Sequence, residues 1–258
     1  MMYQTPVYTF KRMVYGYYCS NDENSDFIKE LHLKMLERYI NIFDDVIFCI
    51  IIDDINNLEV IRDIQKRIIS IRRGSITFKL YENSNYRESD VFYNEIFLKM
   101  KELNGLTFFG HSKGVGVLES YEEIIAFVLG SYYFSLENID KIGDYPFYGS
   151  FKMINNLPSA NKTNKHKWFY VGTFFWGDYQ RIYGEHKKWP LFSSRWFNEL
   201  FPGEFYEHEK CGCLDDKFID ATEPPKTAFE LIEKIYDYDD NMQKYLMLYN
   251  ELIEYFNL

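Results

Sequence analysis

The sequence predicts an α/β fold: a single Rossmann-like domain with a mostly parallel central sheet flanked by helices, plus helices at the carboxyl terminus. Two observations carry that expectation. Strand-like and helix-like segments alternate four times ahead of residue 110, the rhythm of β-α units whose crossovers make neighbouring strands parallel. The run Val46-Ile47-Phe48-Cys49-Ile50-Ile51-Ile52 is apolar without a break, as a strand covered on both faces must be. A chain of 258 residues with 47% hydrophobic content is sized for one core rather than two.

In chain order, residues 14–19 read as a strand, 20–25 as a polar turn, and 26–42 as a helix with apolar residues at helical spacing. Residues 45–54 hold the apolar run and belong at the sheet centre. Over 57–72 a helix sets Leu58, Ile61, Ile64, Ile68 and Ile69 on one face, and Gly74 ends it. A third strand over 76–80 and a helix over 87–103 follow, and Asn104-Gly105 turns the chain into a fourth strand over 106–109. The second half is less regular. It reads as a helix over 120–134, a loop over 143–156, a polar insertion over 159–167, a strand over 168–176 and a helix over 178–187. A short helical piece over 195–200 is ended by the turn Pro202-Gly203, and 227–258 form two helices broken near Asp239-Asp240. One domain therefore spans 1–258, in two halves over 1–118 and 119–226 with the terminal helices over 227–258.

Composition bounds the function. Against 39 acidic residues stand 29 basic ones, a net charge of -10, which disfavours a nucleic-acid partner that would demand a basic face. Four cysteines, Cys19, Cys49, Cys211 and Cys213, make no regular disulfide framework and point to a reducing, cytoplasmic setting. His208 and Cys211-Gly212-Cys213 lack the usual spacing of a zinc site, and no metal ligands are assigned. Asp53-Asp54, a carboxylate pair able to hold a hard cation, ends the second strand. No stretch approaches the roughly 18 apolar residues of a membrane span. Homo-oligomerisation is left open. The 23 Tyr and 23 Phe are read first as core filler.

Gly110-His111-Ser112-Lys113-Gly114 closes the fourth strand, where the ligands of such sheets gather. Its spacing fits the G-x-S-x-G elbow of serine hydrolases, with Ser112 as nucleophile and His186 or His208 as base. Against that, Val115-Gly116-Val117-Leu118 is strand-like where an elbow runs straight into a helix. The segment also suits a diphosphate, because an imidazole, a hydroxyl and an ammonium beside two glycines can all contact phosphate oxygens.

With Gly172-Thr173-Phe174-Phe175-Trp176 downstream, the block resembles the His-Ser-Lys-Gly group of glycosyltransferase-like proteins from bacteria and large viruses. In those a Gly-Asn-Phe-Trp-Trp-like block follows; here Thr173 stands where the pattern usually has Asn. The resemblance spans residues 105 to 210. It implies a GT-A fold and transfer of a sugar from a nucleoside-diphosphate sugar to a saccharide acceptor, with residues 1–118 binding the nucleotide sugar and 119–226 the acceptor. His111, Ser112, Lys113 and Gly114 would then hold the diphosphate where most GT-A enzymes use a metal-binding Asp-x-Asp, so a divalent metal is not expected to be required. Gly172, Thr173 and Trp176 would line the acceptor side. From architecture, Tyr17, Tyr18, Asn83 and Arg87 fall at the nucleoside. Inverting transfer needs a base at the acceptor hydroxyl, for which Asp178, Glu204 and Glu207 are candidates. A serine hydrolase, or a catalytically silent glycan-binding protein on the same fold, are the alternatives.

Overall fold

A computed structural model describes residues 10–19, 25–112, 120–137, 139–142, 145–154, 168–170, 173–190, 197–213, 218–220, 227, 230, 232 and 240–258. Its amino-terminal half runs β1 (Lys11–Cys19), α1 (Ser25–Tyr39), β2 (Asp45–Ile52), α2 (Leu58–Ile71), β3 (Ser75–Glu82), α3 (Glu88–Glu95) and β4 (Leu106–His111). There follow α4 (Tyr121–Leu136), β5 (Phe147–Gly149), β6 (Lys152–Ile154), β7 (Trp168–Tyr170), β8 (Phe175–Gly177), α5 (Tyr179–Glu185), α6 (Phe197–Phe205), β9 (Gly212–Cys213), β10 (Phe218–Asp220) and α7 (Asp240–Phe256).

Seven strands form the main sheet in the order β3-β2-β1-β4-β8-β5-β9. Pairing is parallel throughout except at β8, which is antiparallel to both β4 and β5. The apolar run of β2 pairs on both sides, as its composition requires. A second sheet of three strands has the order β10-β6-β7.

Side-chain alternation divides the core between the two faces of the main sheet. Tyr15, Tyr17, Phe48, Ile50 and Phe108 pack with α1, α2, α4 and α7 on one face. Val14, Cys49, Ile51 and Phe109 pack with α3, α5 and α6 on the other. Local chemistry supports the helices. The Asn57 side chain caps α2 by accepting from the Val60 amide at 3.4 Å, and Ser120 caps α4 through the Glu123 amide at 3.2 Å. From Ile124 to its end α4 is buried, because it lies between the sheet and α1 and α7. α7 is held to it by stacking of Tyr245 on Phe134 and by the bond from the Tyr245 hydroxyl to the Ala126 carbonyl at 2.9 Å. Gly105 has φ 76°, and a Cβ there would collide with the Phe10 carbonyl oxygen.

Three expectations are corrected. The loop expected over 143–156 contains β5 and β6. The single strand expected over 168–176 is two strands in different sheets, because Thr173 takes φ 59° and breaks the extended backbone between them. Pro202-Gly203 does not end a helix but lies inside α6, whose Tyr206 amide still reaches the Pro202 carbonyl at 3.2 Å. The insertion over 159–167 and the segment 115–118 lie outside the described residues.

Candidate functional site

Strand order reverses between β1 and β4, since β1 leads to β2 on one side while β4 joins it on the other. Such a switch point leaves a crevice beyond the carboxyl ends of the strands, where ligands of open α/β sheets bind. The end of β4 is tied to β1 there. The Ser112 amide donates to the Gly16 carbonyl at 2.9 Å, and the Ser112 Oγ accepts from the Tyr18 amide at 2.7 Å. Gly16 packs against His111, whose Cβ lies at ordinary van der Waals distance, 3.5 Å, from the position a Cβ on the glycine would take.

The ends of β1, β2 and β3 are joined by Asn83. Its Nδ2 donates to the Tyr18 hydroxyl at 2.7 Å and to Asp53 Oδ1 at 2.6 Å. Asn83 Oδ1 is buried with no hydrogen-bond partner among the described residues, an acceptor left for a ligand. Burial, and then the Asp53 carboxylate, push the Tyr18 hydroxyl above its ordinary pKa, while the nearby Arg87 guanidinium opposes them. Arg87 itself has φ 53°, one of three non-glycine residues with positive φ among those described. Such strain persists only where surrounding contacts enforce it, and it gathers at functional sites.

Thr173 is a second such residue, with φ 59° and no exposed surface. Its Oγ1 donates to Glu199 Oε1 at 3.3 Å. The following ring, Phe174, lies 5.9 Å from the His111 ring. α6 is pinned alongside by the Ser89 Oγ, which donates to Asn198 Oδ1 at 2.5 Å, and Asn198 Nδ2 is a buried donor with no partner among the described residues. The start of α6, carrying Asn198 and Glu199, therefore borders the same edge as His111 and Ser112.

Six of the residues singled out in the sequence thus come together: Tyr18, Asn83, Arg87, His111, Ser112 and Thr173. Tyr17 points to the other face, where burial raises its pKa, and lines a cleft of about 460 Å³ with Cys19, Lys29, Asp53 and Arg67 between α1 and α2. Lys113, Gly114 and Gly172 lie outside the described residues.

Four others do not join them. Trp176 offers no face to a sugar: it is fully buried, packs 5.4 Å from Phe43 and 5.2 Å from Phe108, and donates from Nε1 to the Ser135 carbonyl at 2.8 Å. Because β8 is antiparallel, Gly177 pairs with Thr107 at the amino edge of the sheet, so Asp178, one residue further on, is about 16 Å of strand away from the level of His111. It caps α5 instead, accepting from the Arg181 amide at 3.0 Å. From Glu199, six residues of α6, about 9 Å of helix, carry the chain to the far end, where Phe205 meets His186 at 4.7 Å. Glu204 lines a groove there with Trp189, and Glu207 lies beyond the helix end.

Among the described residues no hydrolase dyad is assembled at Ser112. Ser112 Oγ accepts a backbone amide and bonds to no histidine, and Ser112 lacks the positive φ that marks strain at Arg87 and Thr173. Among the described residues no group of three or more His, Cys, Asp or Glu could hold a metal, and the four cysteines are free and buried. Asp54 Oδ1 closes its own turn through the Asn56 amide at 2.9 Å.

Glu199 is the carboxylate that the sequence reading missed. It falls in a stretch that reads simply as helix, and its position follows from the antiparallel entry of β8, which no local pattern announces.

The fold defines an α/β protein with a mostly parallel, Rossmann-like central sheet. No protein-family model and no curated protein sequence matches the chain. No helix among the described residues is long and apolar enough to cross a membrane.

Proposed function

We propose that the chain is a glycosyltransferase that moves a sugar from a nucleoside-diphosphate donor to a hydroxyl of a glycan or other saccharide. The observation that carries this reading is the convergence at one sheet edge of Tyr18, Asn83 and Arg87 with His111, Ser112, Thr173 and Glu199. Two buried amide atoms without partners among the described residues, Asn83 Oδ1 and Asn198 Nδ2, stand on the same edge. In this reading Asn83 and Arg87 hold the nucleoside, and His111 and Ser112, with Lys113, hold the diphosphate. A GT-A domain is the finer form of the fold that the reading assumes.

Glu199 replaces Asp178, Glu204 and Glu207 as the base. The acceptor hydroxyl gives its proton to the Glu199 carboxylate as its oxygen bonds to the anomeric carbon. The bond from that carbon to the diphosphate breaks, its electron pair leaves with the phosphate oxygen, and donors preorganised at the diphosphate stabilise the charge.

A thermal-shift panel of UDP-, GDP-, CMP- and dTDP-sugars, each with and without Mn²⁺ or Mg²⁺, tests the reading. One donor at a hundred times its Kd adds about 2.7 kcal/mol of apparent stability. Arg87→Ala is expected to lose that shift. No shift with any donor sinks the proposal.

A further inference from the structure

A groove at the amino edge of the sheet, across the molecule from the crevice, has the makings of a second site. Two adjoining clefts of about 430 Å³ each share Glu185, His186 and Phe205. Each is within the size range of small-ligand sites. The aromatic wall is held rigidly. Trp189 stacks on Tyr183 with ring centroids 5.3 Å apart and planes 18° from parallel, and it meets Phe97 and Phe205 edge-on at 6.1 and 5.5 Å. Tyr183 is 42% exposed, while Trp189 is half-buried and lines the cleft beside Lys187 and Lys188.

The polar wall uses up part of its own charge. Arg181 Nε donates to Glu185 Oε1 at 2.8 Å, and the Tyr206 hydroxyl donates to Oε2 at 2.6 Å. Burial favours the neutral acid, but these two donors outweigh it and hold Glu185 below the ordinary carboxylate range. Lys187, Lys188 and Lys210 also line the clefts and enter no ion pair among the described residues. Against these three ammonium groups the groove sets Glu204. A local excess of positive charge in a chain of net charge -10 is a focused attraction for anions.

We propose that this groove binds an anionic saccharide chain, with a sugar ring on Trp189 and carboxylate or phosphate groups on Lys187, Lys188 and Lys210. Sugar rings present apolar C–H faces that suit a half-buried indole lining a cleft. An acidic peptide is a poorer fit, because among the described residues the clefts are lined by helix and loop residues and by none of a strand that an extended chain would pair with. A single-stranded nucleic acid is a poorer fit, because its successive bases stack on successive open rings, and of the aromatics lining the clefts Phe205 and Tyr206 are buried. The site stands apart from the donor crevice, so either proposal can fail without the other.

The full chain is titrated with a hexamer of galacturonate, a neutral glucose hexamer and oligo-dT, each at 20 and 200 mM salt, with binding followed by calorimetry. The acidic hexamer is expected to bind more tightly than the other two and to weaken with salt. Trp189→Ala and the double variant Lys187→Glu/Lys188→Glu are each expected to reduce its affinity at least tenfold. The lysine variant changes only exposed side chains, so it reads the site even where Trp189→Ala disturbs folding. Absence of binding, unchanged affinity in the lysine variant, equal binding of the neutral hexamer, or preference for oligo-dT each overturns the proposal.

Discussion

At the scale of single residues, the crevice concentrates backbone conformations that side chains resist. A residue with a Cβ in the left-handed region costs about 1–3 kcal/mol, and Arg87 and Thr173 both hold it at the carboxyl edge. Asn enters that region far more readily than Thr, a β-branched residue. Thr173→Asn is expected to stabilise the chain by about 1 kcal/mol, read as a shifted urea midpoint; a loss of that size instead would mean that the buried Thr173 methyl matters more than the strain. Glu199→Gln removes the proposed base with almost no change of shape. It should lower kcat by about 10²–10⁴-fold while leaving the donor-induced thermal shift intact. An unchanged kcat, with donor binding demonstrated, would remove Glu199 from the chemistry but not the transferase reading.

At the scale of elements, the register of β8 decides which residues are core and which are site. Trp176, facing Phe43 and Phe108, is structural, so Trp176→Ala should cost about 3–5 kcal/mol of stability. Donor affinity per folded molecule should survive it; a selective loss of affinity at unchanged stability would return Trp176 to the site. The same register marks the limit of what the sequence discloses. The first four strands and their helices are legible because each carries its own periodicity or apolar run, and the end of β4 follows from the Gly110–Gly114 block. Beyond α4 the strands are two or three residues long, too short for a period to show. Trp168 through Trp176 is continuously aromatic and apolar apart from Gly172 and Thr173, so the break at Thr173 is masked by composition. Whether a carboxylate faces the crevice depends on an antiparallel insertion fixed by long-range pairing. Asp178 therefore reads as a site residue in the sequence and serves as a cap in the fold.

At the scale of the whole molecule, a buried cluster beneath the crevice couples three elements to pH. Tyr15 on β1, His32 on α1 and Tyr132 on α4 meet in one chain of hydrogen bonds. The Tyr132 hydroxyl donates to that of Tyr15 at 2.6 Å, and His32 Nδ1 lies 2.9 Å from the Tyr15 oxygen. With Nδ1 as the acceptor, the ring proton sits on Nε2, which is buried with no partner among the described residues. Burial above all, and secondarily the nearby His111, lower the pKa of His32 to about 3. An unfolded chain binds that proton near pH 6.5. Between these values the unfolded state holds one more proton than the folded one, so stability rises with pH and falls as the solution is acidified. The contribution is complete above pH 6.5 and is lost at about 1.4 kcal/mol per pH unit on the way down to pH 3. Carboxylates add their own acid dependence, so the informative quantity is a difference between two proteins. His32→Gln cannot take up the proton, and its stability, measured by urea unfolding at pH 7, 6, 5 and 4, should fall less steeply by about one proton's worth below pH 6.5. Parallel curves for the two proteins would mean that His32 gains its proton as easily folded as unfolded, and that the Tyr15–His32–Tyr132 cluster opens to water well before the sheet gives way.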